Sequence, residues 1–260
     1  MKAISATLFL SAIALASCSV TNRVVPSQDF VTFEVAANDV NSIDVSSSIK
    51  VEYTQSDKVS VSVNCPENLV DYLDVKVKNG KLDADFKNGI SIDGNSSVTI
   101  TVSSPALSDI DASSSSSVII QKSIMVTDEL DIEASSSATV YIASVTRGNV
   151  SIDASTSSSV TIDAARCASL DIDSSTSASV TVSAIECVSV DAEASTAANV
   201  TLSGKTVNAS YEASTAATIN ASALVADKLR SAKASSAANI RCAAETRGSI
   251  TEESSGTVSF

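Results

Sequence analysis

The chain has 260 residues and a formal net charge of -13, with 44% hydrophobic, 18% charged and only 3% aromatic residues. It contains no His and no Trp, which excludes chemistry that needs an imidazole base or ligand. The excess of 30 acidic over 17 basic residues argues against nucleic acid as a partner and against charge-driven binding to an anionic membrane. Ser makes up about a fifth of the chain, and its apolar part is too large for a disordered acidic tail.

The first 17 residues have the pattern of a signal peptide. Lys2 supplies a positive charge, and the apolar run 3–16 is too short to span a bilayer. The run ends Leu15-Ala16-Ser17-Cys18, which resembles the lipobox of bacterial lipoproteins, where the Cys is acylated and becomes the mature N-terminus. The sequence therefore predicts lipidation at Cys18 and a membrane-bound envelope protein. Ordinary secretory cleavage beside an incidental Cys is the alternative.

Residues 18–28 are predicted to be a tether between that anchor and the folded domain. The stretch 19–23 contains no carboxylate. In the Bacteroidota lipoproteins that this terminus resembles, an acidic patch after the Cys marks export to the outer face. Its absence favours an outer-membrane anchor that faces the periplasm over a surface-exposed one.

Residues 29–260 are predicted to form one β-helical domain, whose first part, to about residue 108, is irregular. Segments 42–49 and 92–98 have the pattern of single coils. Between them, Lys78-Asn79-Gly80-Lys81 is flanked by alternating residues from Val75 to Phe86, a pattern typical of a hairpin with a type I′ turn.

From about residue 109 the chain repeats itself. A charged residue recurs at intervals of 19 to 22, and a β-branched residue follows seven positions after each occurrence. The charged residues are Asp111, Glu133, Asp153, Asp173, Glu193, Glu212 and Lys233. The β-branched residues are Val118, Val140, Val160, Val180, Val200, Ile219 and Ile240.

Each repeat holds two short alternating segments, such as 170–173 and 180–182, joined by a corner of small residues. Period-two alternation indicates strands, and strands of this length bury their apolar face only by stacking on further copies. The sequence therefore predicts an all-β, single-stranded, right-handed parallel β-helix with about 20 residues per coil. A β-sandwich with chance similarity is the alternative.

The corners, such as 134–138, 154–158 and 194–198, consist of Ser, Thr and Ala. We expect their hydroxyls to bond one another or nearby backbone groups. A glycan acceptor or a binding surface is the alternative interpretation. The last stretch, 250–260, fits the register only with a deletion.

The order of several motifs resembles one known family. Ser48 to Tyr53, then 59–63, Asn68-Leu69 and 75–82, followed by repeated acidic-small-Ser-Ser-x-x-Val units, is similar to the auto-transporter adhesin head domain, or GIN domain, over about 40–245. The resemblance implies a parallel β-helix in a Bacteroidota-like envelope lipoprotein without an established biochemical activity. The family's corners are usually Gly-rich, whereas corners 112–117, 134–138 and 154–159 contain Ser and Ala.

Carboxylates form the strongest candidate site. Alternation places ten of them on the outer face of one sheet, where paired oxygens would suit Ca²⁺ as the one candidate cofactor. A solvated acidic face that maintains solubility is the alternative. The ten residues are Asp109, Asp111, Asp131, Glu133, Asp153, Asp171, Asp173, Asp191, Glu193 and Glu212.

Four cysteines follow Cys18. Cys167 and Cys187 are 20 residues apart, so they occupy the same column of adjacent coils, within reach of a disulfide. Small buried residues are the alternative interpretation of this pair. Cys242 falls in an inward column, and Cys65 has no evident partner.

These patterns predict a lipid-anchored envelope protein without catalytic residues, whose repetitive surface serves adhesion or contact with an envelope protein or glycan. The regular repeats lack the long insertions on which β-helical polysaccharide lyases build their sites. A Ca-dependent glycan-binding or polysaccharide-processing β-helix is the alternative. Exposed aromatic residues or a deep cleft beside the carboxylates would favour it.

Overall fold

A computed structural model of the protein describes residues 22–260. Within that range the chain is almost entirely β-structure, with one short 3-10 helix, η1 (Glu67–Tyr72). The strands are β1 (Asn22–Val24), β2 (Phe30–Glu34), β3 (Ser42–Val45), β4 (Lys50–Gln55), β5 (Ser60–Pro66), β6 (Leu73–Lys78), β7 (Lys81–Phe86), β8 (Ile90–Ile92), β9 (Thr99–Ser104), β10 (Asp109–Ala112), β11 (Ser117–Met125), β12 (Glu129–Ala134), β13 (Thr139–Thr146), β14 (Asn149–Ala154), β15 (Ser159–Ile162), β16 (Ala165–Arg166), β17 (Ser169–Ser174), β18 (Ser179–Ala194), β19 (Asn199–Ala213), β20 (Thr218–Ala234), β21 (Asn239–Glu252) and β22 (Thr257–Ser259).

The strands stack into a parallel β-solenoid of about eight turns, with coils of about 20 residues. Three ladders run along it, and we name them sheets A, B and C. Sheet A contains, in spatial order, β6, β7, β3, β10, β12, β14, β17 and the last parts of β18 to β21. Sheet B contains β2, β5, β9, β4, the first parts of β11 and β13, β15, the first parts of β18 to β21, and β22. Sheet C contains the ends of β11 and β13, β16, and the middle parts of β18 to β21.

The predicted repeat register is confirmed residue by residue. Val118 pairs with Val140, Val140 with Val160, and the column continues to Ile240 with every member buried. Like residues therefore stack on like residues along the inside, and inward Val, Ile, Leu and Ala side chains form one continuous core. The final turn is shorter: Thr257 pairs with Asn239, 18 residues earlier.

The N-terminal coils do not follow chain order. The coil formed by β3 and β4 lies between the later coil of β7 and β9 and the coil of β10 and β11. The predicted hairpin is present as β6 and β7, and its turn residues Asn79 and Gly80 have φ of 53° and 79°, as a type I′ turn requires. Antiparallel strands β2 and β6 thus end sheets B and A at this end of the solenoid.

The segment predicted as a tether is ordered in the part that the structure describes. Strand β1 pairs in parallel with β8, and the N–H of Asp93 donates to the carbonyl of Val24 at 2.9 Å. Arg23 forms an ion pair with Asp93 at 2.7 Å. The backbone of residues 22–24 therefore finds strand partners, which the local sequence gives no reason to expect. The predicted signal peptide and Cys18 lie outside the described residues.

No helix in the range 22–260 has the length and apolar character needed to span a membrane.

Candidate functional site

The predicted carboxylates line the outer face of sheet A in two columns. Asp109 pairs with Asp131, and Asp171 with Asp191, in the first column, where Ser151 interrupts the series. The second column, which we call the acidic column, is uninterrupted. Its members in spatial order are Asp83, Asp44, Asp111, Glu133, Asp153, Asp173, Glu193 and Glu212.

Asp44 and Asp83 extend the acidic column beyond the ten predicted residues. The alternation Ile43-Asp44-Val45 matches Ile110-Asp111-Ala112 and could have indicated the first of them. Asp83 has no such signal, because its strand belongs to the hairpin and stacks beside β3 only through the rearranged coil order.

Lysines close both ends of the acidic column. Lys233 follows Glu212 in register and bonds its carboxylate at 2.7 Å. At the other end, Lys81 pairs with Asp44 at 2.7 Å and Lys76 with Asp83 at 3.0 Å. The carboxylates from Asp111 to Glu193 carry no ion pair and face one another across adjacent coils.

Their environment shifts the acid-base equilibrium of these groups. Partial burial, followed by repulsion from Asp44, raises the pKa of Asp111. Burial and then neighbouring carboxylates likewise raise the pKa of Glu133, Asp173 and Glu193. Asp171 in the first column follows the same pattern, with Asp191 as its repelling neighbour. These five carboxyls therefore hold protons more tightly than isolated carboxyls do.

The carboxylates are spread along the sheet and do not converge on a common position where a metal ion could bind. Among residues 22–260, no group of three or more Asp, Glu, Cys or His side chains is placed to hold a metal ion. The depressions along the face are shallow and follow the coils. One of about 230 Å³ is lined by Asp191, Glu193, Glu212 and Lys233 with neighbouring Ser and Thr residues, and one of about 260 Å³ lies beside Asp111, Glu133 and Asp153. The exposed Phe30 and Phe260 lie at opposite ends of the solenoid, away from the carboxylates.

The outer face of sheet B, unlike that of sheet A, is uncharged from β13 to β20. Over these strands its two outward columns contain hydroxyl and amide side chains, and we call this surface the hydroxyl face. They are Thr139, Ser159, Ser179, Asn199 and Thr218 in one column, and Tyr141, Thr161, Thr181, Thr201 and Asn220 in the other. Donors and acceptors thus repeat along this face at the strand spacing of about 4.8 Å.

The small-residue corners form a column of tight turns. At positions 176 and 177, as at each regular corner, two successive residues adopt positive φ, here 49° and 64°. The N–H of Ser177 donates to the carbonyl of Thr196 in the next coil at 3.0 Å, and the same bond recurs along the column. Two corner hydroxyls, Ser116 and Ser158, donate to backbone carbonyls at 2.9 Å. The corners are therefore joined mainly through backbone bonds, with their tips exposed.

Cys167 and Cys187 lie in adjacent coils with Cα atoms 4.8 Å apart, and the structure joins them in a disulfide. Cys65 and Cys242 are buried thiols, and burial raises the pKa of both.

The fold and its faces define a class: a three-sided parallel β-solenoid with flat, repetitive surfaces. Residues 39–185 and 150–260 match the family described as "Putative auto-transporter adhesin, head GIN domain". The chain belongs to this family, as the order of its sequence motifs predicts.

Solved structures share the fold. A protein from Parabacteroides merdae, described as a "putative adhesin", superposes with a TM-score of 0.80 at 20% identity, covering 92% of this chain and 98% of its own. A second protein described in this way, from Parabacteroides distasonis, gives a TM-score of 0.73 at 20% identity over 89% of this chain and 100% of its own. Another protein from the same organism, described as a "putative lipid binding protein", gives a TM-score of 0.69 at 20% identity over 92% of this chain and 99% of its own. No curated protein matches the chain in sequence.

Proposed function

We propose that the protein is a lipid-anchored, non-enzymatic binding protein of the cell envelope, which contacts an extended glycan or protein through the hydroxyl face. Membership in an adhesin domain family supports a cell-envelope role. The hydroxyl face is the observation that carries the proposal, because it presents neutral donors and acceptors in a flat, repeated array. Such an array suits a partner that is itself extended and repetitive, with binding strength accumulated over many weak contacts.

The acidic face serves a different role in this proposal. Its carboxylates are hydrated and repel anionic surfaces, so they maintain solubility and favour contact through the neutral side. The shallow depressions and the even distribution of the carboxylates along successive coils support a surface without catalysis.

Anchorage is proposed at Cys18, with the solenoid facing the periplasm. Cys18→Ser should release the protein from the membrane fraction. Protease added to intact cells should leave the wild-type chain uncut until the cells are lysed. Digestion on intact cells would contradict the periplasmic orientation and would place the hydroxyl face where adhesion to other cells is open to it.

The binding test uses the full-length chain in detergent with purified peptidoglycan sacculi as the glycan probe. We expect the wild-type chain to co-sediment with sacculi, and a variant with Thr161→Lys, Thr181→Lys and Thr201→Lys to remain in the supernatant. The matched control carries Asp153→Asn, Asp171→Asn and Asp173→Asn on the acidic face and should still co-sediment. Binding that fails for the wild type, or that is lost only in the acidic-face variant, would refute the proposed glycan contact.

A further inference from the structure

The ends of the sheets differ in how they are protected. A strand at the end of a sheet exposes unpaired backbone groups, and proteins normally protect such an edge with Lys, inward-pointing charges, short strands or a covering group. Within the described chain, the end strands of sheets A and B at the N-terminal end are β6 and β2, and those at the other end are β21 and β22.

The edges of β6, β22, the last part of β21 and the first strand of sheet C each carry one of these devices. Strand β6 exposes Lys76 and Lys78, and β22 is three residues long. The last part of β21 places Arg247 and Glu252 at inward positions of the register. The first edge of sheet C is covered by the Gln55 side-chain amide, which accepts from the N–H of Met125 at 2.8 Å and donates to its carbonyl at 3.0 Å.

Strand β2 has the sequence Phe-Val-Thr-Phe-Glu, with one charge in five residues. Its inner side chains, Val31 and Phe33, are only partly buried against the core. The N–H of Val35 donates to the carbonyl of Val61 in β5, so by alternation Val31 and Phe33 direct their backbone groups to β5. The N–H and C=O groups of Phe30, Thr32 and Glu34 therefore point to the free edge.

We infer that β2 pairs antiparallel with β2 of a second copy of this chain, about a two-fold axis through Thr32. This register is self-complementary. Thr32 would exchange backbone hydrogen bonds with Thr32 of the second copy, and Phe30 with Glu34 of the second copy. Val31 would lie opposite Phe33 of the second copy in a non-hydrogen-bonded pair, where Cα atoms are about 4.5 Å apart and side chains pack closely.

The pairing joins the two solenoids through a continuous sheet B. It adds cover to Val31 and Phe33 on the inner face and satisfies the exposed backbone groups of β2. Continued addition of copies is blocked, because the pairing uses the same edge of both molecules and the other ends carry protective charges. The structure thus assigns a closed dimer rather than a fibre.

The test uses two full-length copies with different tags after Phe260, co-expressed and purified in detergent through one tag. Wild-type copies should co-purify. Thr32→Lys in both copies places like charges opposite each other at the axis and should reduce the co-purified fraction roughly fivefold. Thr32→Glu in both should do the same. One copy with Thr32→Lys and one with Thr32→Glu should restore wild-type association, since the charges are then complementary.

Two controls separate register from folding. Both Thr32 variants lose the exposed hydrogen bond that the Asn64 amide donates to the Thr32 hydroxyl. Because the Lys–Lys, Glu–Glu and Lys–Glu pairs of copies all lack this bond, its loss does not account for a difference in association between them. Thr101→Lys, on the outer face of sheet B but at the interior strand β9 and outside the hydroxyl face, should leave co-purification unchanged. Wild-type copies that do not co-purify, or a mixed Lys and Glu pair that associates no better than the Lys pair, would overturn the inference.

Discussion

At the scale of single residues, Tyr211 is a polar group that the core accommodates by volume but not by hydrogen bonding. It occupies an inward column that holds Ile132, Ile152 and Ile172 in earlier coils, and its neighbours in that column are Ala192 and Ala232. The two alanines make room for the ring. Its hydroxyl is buried without a hydrogen-bond partner, and burial raises the pKa of the phenol well above its ordinary value.

Tyr211→Phe should therefore stabilise the protein by roughly 1 kcal/mol, because it removes a buried unsatisfied hydroxyl while keeping the ring. Tyr211→Ala is the matched comparison and should destabilise by about 3–5 kcal/mol through the cavity it leaves. Urea denaturation of the two variants measures both effects. A Phe variant less stable than the wild type would show that the hydroxyl makes a favourable contact.

The Cys167–Cys187 disulfide closes a 20-residue loop between adjacent coils. Replacing both residues with Ala should lower stability by about 3 kcal/mol in the chain-entropy account of cross-links. The control is Cys242→Ala, which removes a buried thiol without a cross-link. Thiol titration of the unfolded, unreduced protein provides a separate check, since two more free thiols than expected would contradict the bond.

At the scale of the elements, the corners hold residues in a backbone region that costs L-amino acids about 1–2 kcal/mol each. Thr176 and Ser177 occupy the two central positions of one such turn. Thr176→Asn with Ser177→Gly supplies the preferred type I′ pair and should raise the free energy of unfolding by roughly 1 kcal/mol. Thr181→Gly, in the following strand, is the control and should lower it by a similar amount. Thermal unfolding distinguishes the two signs.

The acidic face predicts a dependence of stability on pH. A carboxyl whose pKa is raised in the folded state binds more protons there than in the unfolded chain, so its contribution to stability falls as pH rises. Stability should fall over the pH range from the ordinary carboxyl pKa of about 4 up to the raised pKa values of five carboxyls. They are Asp111, Glu133, Asp171, Asp173 and Glu193. Urea midpoints should therefore be higher near pH 5 than at pH 7. Asp173→Asn with Glu193→Gln should flatten this slope, and a midpoint that rises with pH would contradict the mechanism.

At the scale of the whole molecule, periodicity made most of the fold predictable. The repeated spacing places Val118 to Ile240 in one column because a solenoid converts sequence period directly into spatial register. The N-terminal coil order could not be predicted in the same way, since the stacking of β3 between β7 and β10 depends on long-range contacts without a repeat. The hydrogen bonds between the Gln55 side chain and the Met125 backbone could not be predicted either, because the two residues are distant in sequence.

The last coil of the described chain places two charged residues in columns that hold apolar or small residues in earlier coils. Arg247 continues the inward column of Leu170, Val190 and Leu229, and Glu252 continues a column of small residues that includes Ala234. The Arg247 guanidinium lies 3.5 Å from the centre of the Phe260 ring, and Glu252 accepts from the N–H of Val258 at 2.7 Å. A further coil, or another molecule, would have to bury both charges, which is unfavourable without partners.

Arg247→Leu with Glu252→Ala should remove this barrier, because it restores the apolar and small-residue columns while leaving the strand edges unpaired. We expect the variant to associate through its C-terminal ends, and together with pairing at β2 this would produce assemblies larger than a dimer. Arg241→Leu removes an outward charge from the same strand and is the matched control. Sedimentation velocity over a range of protein concentrations measures the difference. If the double variant sediments like the wild type and the control, the inward charges are not what prevents association at this end.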